Sequence, residues 1–546
     1  MDDDGGGDRG SRIQRFPIVN SQCLSLMTHR ISKVALFGAL PAPWPHDLRP
    51  AIRAAVAANP EHKLVVLDDD PTGTQTVYDV PVLTTWEVET LRAEFSGPHP
   101  CFYILTNSRS QPPDEARTLI LAIAKNIRAA AGHRPCTFVS RSDSTLRGHF
   151  PLETDIFAGE LGPFDATLLI PYFEDGGRYT IDDVHYVAEG AALLPAAETP
   201  FARDTAFGYR NSNLRAYVEE KCRGRVKADE VASIALADLR QGGPDAVTAK
   251  LLALSTGAMC VVNAAAPGDL DVFVSGLLAA EAQGRRYCFR TAAQFPAARL
   301  GLERRPFLTA QTLELSRTMP APCAIPSRDY AMPGPILPPA ESYREPFVIP
   351  ATERETPSQV TGSPANVGGL MMVGSYVPKT TEQLAHLQND ENLLRVELRV
   401  EKLLTARREE TLAHIAEVLN TALKAGKDTV AYTSRAFAGG DNLAGSLQIG
   451  RRISDALVEL VRRLEVRPRY LVAKGGITSS DVATHGLGVK RAMVLGQILP
   501  GVPVWRLGLE TRFPGLPYIV FPGNVGGPTA LQAVVRRMKS ERSEGD

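Results

Sequence analysis

Three carboxylates stand in a row at Asp68, Asp69 and Asp70, and the turn Pro71-Thr72-Gly73 follows them. Adjacent carboxylates repel, so a fold keeps them together where a metal ion, a bound cation or a transferred proton offsets the repulsion. The four residues before them, Leu64 to Leu67, are apolar or β-branched, the pattern of a buried strand. Two further stretches repeat this layout. CFYILTNSRS (101–110) ends in Thr106, Asn107, Ser108 and Arg109, and CTFVSRSDSTLRGHFPLE (136–153) carries Arg141, Asp143, Ser144 and Arg147. In an open parallel sheet the carboxyl ends of the strands face the ligand crevice. The three polar turns are therefore expected on one edge, pooling Asp69, Asp70, Arg109, Arg141, Asp143 and Arg147 in one cleft. Carboxylates beside arginines suit a small, acidic, hydroxylated substrate.

A second kind of turn appears later. Gly374-Ser375, Gly475-Gly476-Ile477-Thr478 (beside Lys474) and Gly523-Asn524-Val525-Gly526-Gly527 each follow an apolar run and precede a helical pattern or polar stretch. Glycine lets backbone N–H groups approach a phosphate, and a following helix N-terminus adds partial positive charge. None of the three is a GxxxxGK[ST] or GxGxxG fingerprint. Taken together they point to a polyphosphate site. Carboxylates and arginines in one half and anion-cradling loops in the other suit phosphoryl transfer, where positioning and charge neutralisation supply most of the catalysis.

The elements that must position these turns follow from periodicity. Strand, turn and helix alternate three times between residues 63 and 153, with a long helix over about 113–131, which is the sequence form of a parallel βα sheet. A fourth strand, ATLLIPYF, leads to Gly176, Gly177 and Arg178, then to Asp182 and Asp183, and βα units continue through VASIAL and MCVVNAAAPGDL. Prolines recur and apolar periodicity vanishes from about 320 to 364. Strands resume with LMMV, DTVAYTS, YLVAK and LPYIVF. The expected architecture is α/β: two Rossmann-like domains with mainly parallel sheets and the active site in the cleft between them. The expected division is a disordered tail over 1–30, a substrate-binding domain over 31–318, a Pro-rich linker over 319–366 and a nucleotide-binding domain over 367–546.

Composition narrows the function classes. At 546 residues the chain is too long for one core. With 44% apolar and 22% charged residues it reads as globular, and a net charge of -1 argues against a nucleic-acid partner. Seven cysteines are scattered singly with no CxxC pair, which speaks for a reducing compartment and against a zinc site or disulfide framework. No run approaches the ~18 apolar residues of a membrane span, and the acidic, Gly-rich start lacks the composition of a secretory signal. A cytoplasmic protein is expected, without membrane partners and with homodimerisation open.

The motifs resemble those of the four-carbon acid sugar kinases. Asp69-Asp70-Pro71-Thr72-Gly73-Thr74 is similar to the family's Asp-Asp-Leu-Thr-Gly-Ala, and Asp143-Ser144-Thr145-Leu146-Arg147-Gly148 matches its Asp-Ser-Thr-Leu-Arg-Gly, followed by Glu153. Ser108-Arg109, Gly177-Arg178 and the three glycine turns add to the likeness, which spans about 62–535. The resemblance implies ATP and Mg²⁺ as cofactors and a tetronate, threonate/erythronate or 3-oxo-tetronate phosphorylated on its C4 hydroxyl. It implies catalytic roles for Asp70, Asp69 and Arg147, and substrate binding by Arg109, Asp143, Ser144 and Arg178. Ser375, Gly475, Gly476, Thr478, Gly523, Asn524 and Gly526 would hold the nucleotide, and no metal ligands are assigned. Asp70, deepest in the turn, is expected to accept the proton, Asp69 to hold hydroxyls and Asp68 to do neither; Arg147 or Arg109 is expected to meet the substrate carboxylate. Two departures stand out: many members have Gly-Gly-Glu-Thr where this chain has Ile477, and Ser-Gly-Asn-Phe-Gly with a following acid where it has Pro522-Gly-Asn-Val-Gly-Gly.

Two rival readings arise. VVLDDDPT fits the DxDxT pattern of haloacid-dehalogenase-type phosphatases, with Asp68 as nucleophile, Asp70 as acid, Thr106 as second motif and Asp182-Asp183 as magnesium pair. That reading leaves DSTLRG and the second half without a role. A non-catalytic sugar-acid sensor rests on Ile477 alone. His149 and His185 are expected to be structural, Asp182 and Asp183 to cap a turn, and Arg141 to be a solvated neighbour.

Overall fold

Alternating β-branched runs and amphipathic helices build a layered α/β structure. The computed structural model describes residues 30–315, 367–387, 392–435 and 443–539. Apart from Arg30, the expected tail lies outside the described residues, as does the linker over 319–366. One sheet of fifteen strands runs through the described residues. From one edge its order is Ala232–Ile234, Ala258–Val262, Ala166–Ile170, Tyr287–Thr291, Cys136–Arg141, Lys63–Asp68, Cys101–Leu105 and Val80–Leu83. It continues through Arg491–Leu499, Val502–Leu507, Pro517–Phe521, Leu471–Lys474, Leu370–Val373, Asp428–Thr433 and Leu393–Leu398.

Both halves are mainly parallel, as expected. The join between them is antiparallel: Val80–Leu83 pairs with 491–494, 491–499 with 502–507, and 502–507 with 517–521. The sequence reading did not foresee this bridge, which makes the two halves one hydrogen-bonded sheet. Side chains reinforce it. Glu94 and Arg491 form a buried ion pair, and Trp505 Nε1 donates to Thr74 Oγ1 at 2.9 Å. That bond fixes the turn after the three aspartates to a strand from the other half.

The strand Lys63–Asp68 is buried along its whole length, which explains its unbroken apolar run. The helix Pro113–Ala131 sits where periodicity put it and buries Ala116, Ile120, Ile123 and Ile127 on one face. Each such large side chain contributes about 1.5–3 kcal/mol, enough to hold the 101–110 turn in register with its neighbours. A four-stranded antiparallel sheet, Ile31–Ser32, Ala192–Pro195, Val184–Glu189 and Arg178–Ile181, carries Arg178. Among the described residues, no helix is long and apolar enough to cross a membrane.

Candidate active site

Asp68 ends the central strand, and what surrounds it decides which of the three aspartates can do chemistry. Arg141, from the neighbouring strand, pairs with Asp68 Oδ1 at 2.8 Å. A Cβ on Gly73 would come within 2.1 Å of the Asp68 carboxylate, so only glycine lets the Pro71–Thr76 turn fold over it. Asp68 is 1% exposed and does not line the cleft. Burial pushes its pKa up to about 7, with Arg141 opposing. A phosphatase nucleophile needs in-line access, which this carboxylate lacks. Arg141 itself is buried rather than solvated, a correction to the sequence reading: Asp68 needs a partner in the interior.

Asp70 caps the same turn, its Oδ1 accepting from Thr72 N at 2.9 Å, and Arg109 Nη2 lies 2.5 Å from its Oδ2. Burial alone would raise its pKa, but Arg109 and Arg141 hold it below the ordinary carboxylate value. Asp69 is 2% exposed and accepts from the Ser142 hydroxyl at 2.6 Å. Burial raises its pKa more than Arg109 and Arg141 lower it.

The DSTLRG segment is held from several sides. Arg147 Nε lies 2.6 Å from Asp143, while Tyr209 and Tyr217 hydroxyls donate to Thr145 O and Leu146 O. Arg147 and Arg109 outweigh burial and hold the Asp143 carboxyl well below its usual range. His185 spans Thr180 Oγ1 at 3.0 Å and Ser144 O at 2.8 Å, and His149 meets the carbonyls of Ser108 and Gln111. Both histidines are structural, as expected. Glu153 accepts from Ser108 and Ser140 and pairs with Arg290 at 2.7 Å in the interior. Sequence reasoning missed Arg290, Ser142 and both tyrosines, because nothing in their local pattern marks them.

Arg178 stands apart from the other arginines. Among the described residues no carboxylate pairs with it, and its Nε is buried without a hydrogen-bond partner. It lies 5.6 Å from the Phe201 ring, over which Arg147 also sits at 5.1 Å. Arg147 is already committed to Asp143 and to Asp204 at 3.7 Å.

Across the cleft the glycine turns are built on buried clamps. Lys474 Nζ donates to Pro522 O at 2.9 Å and Gly523 O at 3.3 Å, and burial pushes its pKa down to about 7. It shapes the loop and does not line the cleft. Gln383 Nε2 does the same for the carbonyls of Val525, Gly526 and Gly527. Gly475 has φ +115°, which side chains other than glycine rarely adopt. A Cβ on Gly523 would lie 3.0 Å from Ser375 Oγ. Lys379, unnoticed in the sequence reading, is exposed on this face.

Between the two faces lies a cleft of about 1350 Å³. Asp69, Asp70, Arg109, Asp143, Ser144, Arg147 and Arg178 line one face. Ser375, Gly475, Gly476, Gly523, Asn524 and Gly526 line the other. Thr478 does not: it is buried, with its Oγ1 beneath Gly374. Ile477 is 58% exposed at the cleft. Asp182 and Asp183 sit in a hairpin turn at positive φ, Asp183 tied to Ser233 and Asn263, so they offer the cleft no acidic pair. Among the described residues no cluster of three His, Cys, Asp or Glu side chains could hold a metal. Among the described residues the glycine face has no carboxylate. A second cavity of about 770 Å³ at the opposite strand ends is lined by arginines whose partners are Glu61, Glu160, Asp165, Glu281 and the carbonyl of Leu161 at a helix C-terminus, so its charges answer the protein itself.

Residues 64–299 match the family described as a sugar-binding N-terminal domain, and residues 370–531 that described as a nucleotide-binding C-terminal domain. The D-erythronate kinase of Heliobacterium modesticaldum is 30% identical over 174 residues, covering 32% of this chain and 37% of that protein. The chain thus spans little more than a third of that curated relative. The Haemophilus influenzae protein HI1011 is 17% identical with a TM-score of 0.54, covering 87% of this chain and 100% of its own. A protein from Salmonella typhimurium LT2 is 16% identical with a TM-score of 0.59, covering 87% and 99%. At such identities these two structures speak for the fold alone.

Proposed function

We propose that this chain, whose residues 64–299 and 370–531 match a sugar-binding N-terminal and a nucleotide-binding C-terminal domain, is a four-carbon acid sugar kinase that transfers the γ-phosphoryl group of ATP to the terminal C4 hydroxyl of a four-carbon sugar acid. A tetronate, threonate/erythronate or 3-oxo-tetronate is the substrate class this reading favours. One observation carries it: Arg178, which has no carboxylate partner among the described residues, and the Asp69–Asp70 pair share a cleft with the glycine turns.

In this reading residues 31–318 hold the acid and 367–546 the nucleotide. Arg178 takes the substrate carboxylate, a charge-assisted contact that also satisfies its buried Nε; the expectation favoured Arg147 or Arg109, and both have carboxylate partners already. Asp143, Arg147 and Ser144 flank the carbon chain. Asp69 and Asp70 stand where the acceptor hydroxyl meets the nucleotide.

The glycine face fits a nucleotide. Gly475 and Gly523 leave room that a Cβ would fill, beside Ser375, and Lys379 offers a positive charge to phosphates. Mg²⁺ fits as the nucleotide's own ion, since magnesium keeps waters and phosphate oxygens as ligands and among the described residues this face supplies no carboxylate cage. When bound it neutralises phosphate charge. The chain's residues orient the two substrates and exclude water between them.

A panel of four-carbon sugar acids, with glycerate and five- and six-carbon acids as controls, tests this by ADP release. Turnover confined to four-carbon acids is the expected result. Hydrolysis of phosphate esters without ADP release would instead favour the phosphatase reading.

A further inference from the structure

The adjacent carboxylates Asp69 and Asp70, both lining the cleft, differ in what their oxygens are doing. Both oxygens of Asp70 are committed, Oδ1 to Thr72 N–H at 2.9 Å and Oδ2 to Arg109 at 2.5 Å. A carboxylate so held is a weak base. In Asp69, Oδ2 accepts from Ser142, but Oδ1 is buried and has no hydrogen-bond partner among the described residues. Arg109 and Arg141 stand off from that oxygen at 3.8 and 3.7 Å. Leaving a buried acceptor without a donor costs about 1–3 kcal/mol, and such orphans call for an explanation. A substrate hydroxyl would be the missing donor.

We infer that Asp69, through Oδ1, takes the proton of the acceptor hydroxyl, and that Asp70 is a positioning residue that anchors Arg109. This rests on the sugar-acid kinase reading and reverses the roles expected from the order of residues in the turn. As the hydroxyl oxygen bonds to the γ-phosphorus, the bond from that phosphorus to the bridging oxygen breaks and its electron pair leaves on ADP. The hydroxyl proton passes to Asp69 Oδ1 and later to solvent. Arg109 lies 3.8 Å from Oδ1, and its ion pairs with Asp70 and Asp143 are of a kind an arriving anion can replace.

The groups facing Asp69 set the pH dependence. Asp68 and Asp70 adjoin it, Arg109 approaches from the 106–110 turn, Arg141 and Ser142 from the next strand, Glu153 from helix Leu152–Leu161, and Arg290 from strand Tyr287–Thr291. Burial dominates, so the acid limb of kcat should lie above the range of an ordinary carboxylate. Ser142 has one proton and two acceptors, Asp69 Oδ2 at 2.6 Å and Arg147 O at 2.9 Å. The charged form of Asp69 claims it.

The test is kcat against pH for wild type, Asp69→Asn, Asp70→Asn and Ser142→Ala, using the acid that turns over fastest in the panel. Asp69→Asn should lower kcat by roughly two to four orders of magnitude and remove the acid limb from the residual rate. Asp70→Asn should raise KM and keep the limb. Ser142→Ala, which strips one donor from ionised Asp69, should move the limb to higher pH by about half to one unit while most of the plateau rate survives. ADP-dependent thermal stabilisation in each variant reports folding. If Asp69→Asn does not fold, the Ser142→Ala shift decides: an unmoved limb overturns the inference. A near-normal kcat in Asp69→Asn, or a limb lost only in Asp70→Asn, overturns it too. If wild type phosphorylates no acid, the substrate reading fails first and the inference falls with it.

Discussion

Asp70 and Gly476 come from strand ends some four hundred residues apart, yet a Cβ on Gly476 would lie 2.8 Å from Asp70 Oδ2. The proposed substrate face and nucleotide face meet at this point. Oδ2 is the oxygen that holds Arg109, so a side chain on Gly476 would press on the carboxylate and its arginine together. Gly476→Ala is therefore expected to lower kcat by about tenfold to a hundredfold, since a misplacement of roughly 1 Å can cost that much. The melting temperature should change little. Steady-state kinetics beside a thermal melt checks this; a variant with unchanged kcat would mean the closeness is idle.

Arg178→Ala should raise KM for the sugar acid by roughly 10- to 100-fold, the worth of one charge-assisted contact. ADP affinity, measured by calorimetry, should stay the same. A collapse of kcat at constant KM would place the substrate carboxylate elsewhere.

Glu153 and Arg290 form a buried pair that also holds Ser108 and Ser140. Glu153→Ala leaves the guanidinium uncompensated, and the expected loss is about 3–5 kcal/mol in urea unfolding. The double variant Glu153→Ala/Arg290→Met should recover much of it, because the stranded charge is gone. A double variant less stable than the single one would show that the pair's hydrogen bonds outweigh its charge.

His185 is fully buried, and burial lowers its pKa to about 4. Between pH 6.5 and 4 the unfolded chain binds a proton that the folded histidine refuses. Its contribution is complete above pH 6.5 and disappears as the pH falls through that window, by about 3 kcal/mol in all. His185→Gln should flatten this part of the stability–pH curve. Urea midpoints at pH 7 and pH 4.5 for both proteins would settle it, and parallel curves would refute the assignment.

Short-range physics made much of this protein legible. A run such as Leu64–Leu67 followed by Asp68-Asp69-Asp70 declares a buried strand and its ligand-facing end, because side-chain period and turn chemistry are local. The spacing in helix Pro113–Ala131 and the glycines of 475–476 and 523–527 were readable for the same reason. So were the histidines' structural roles, since no neighbouring motif gave them other work.

Tertiary structure alone decided the rest. The antiparallel strands 491–507 join the halves into one sheet by pairing with Val80–Leu83, and pairing over such separations depends on the whole packing. Thr478 left the cleft because its hydroxyl fits beneath Gly374. Above all, the sequence shows three equal aspartates, whereas the fold makes them unequal. Asp68 receives Arg141 and a covering glycine, Asp70 receives Arg109 and Thr72, and Asp69 keeps one oxygen without a donor. A carboxylate's basicity follows from its donors and its solvent, and here the deciding side chains arrive from other strands.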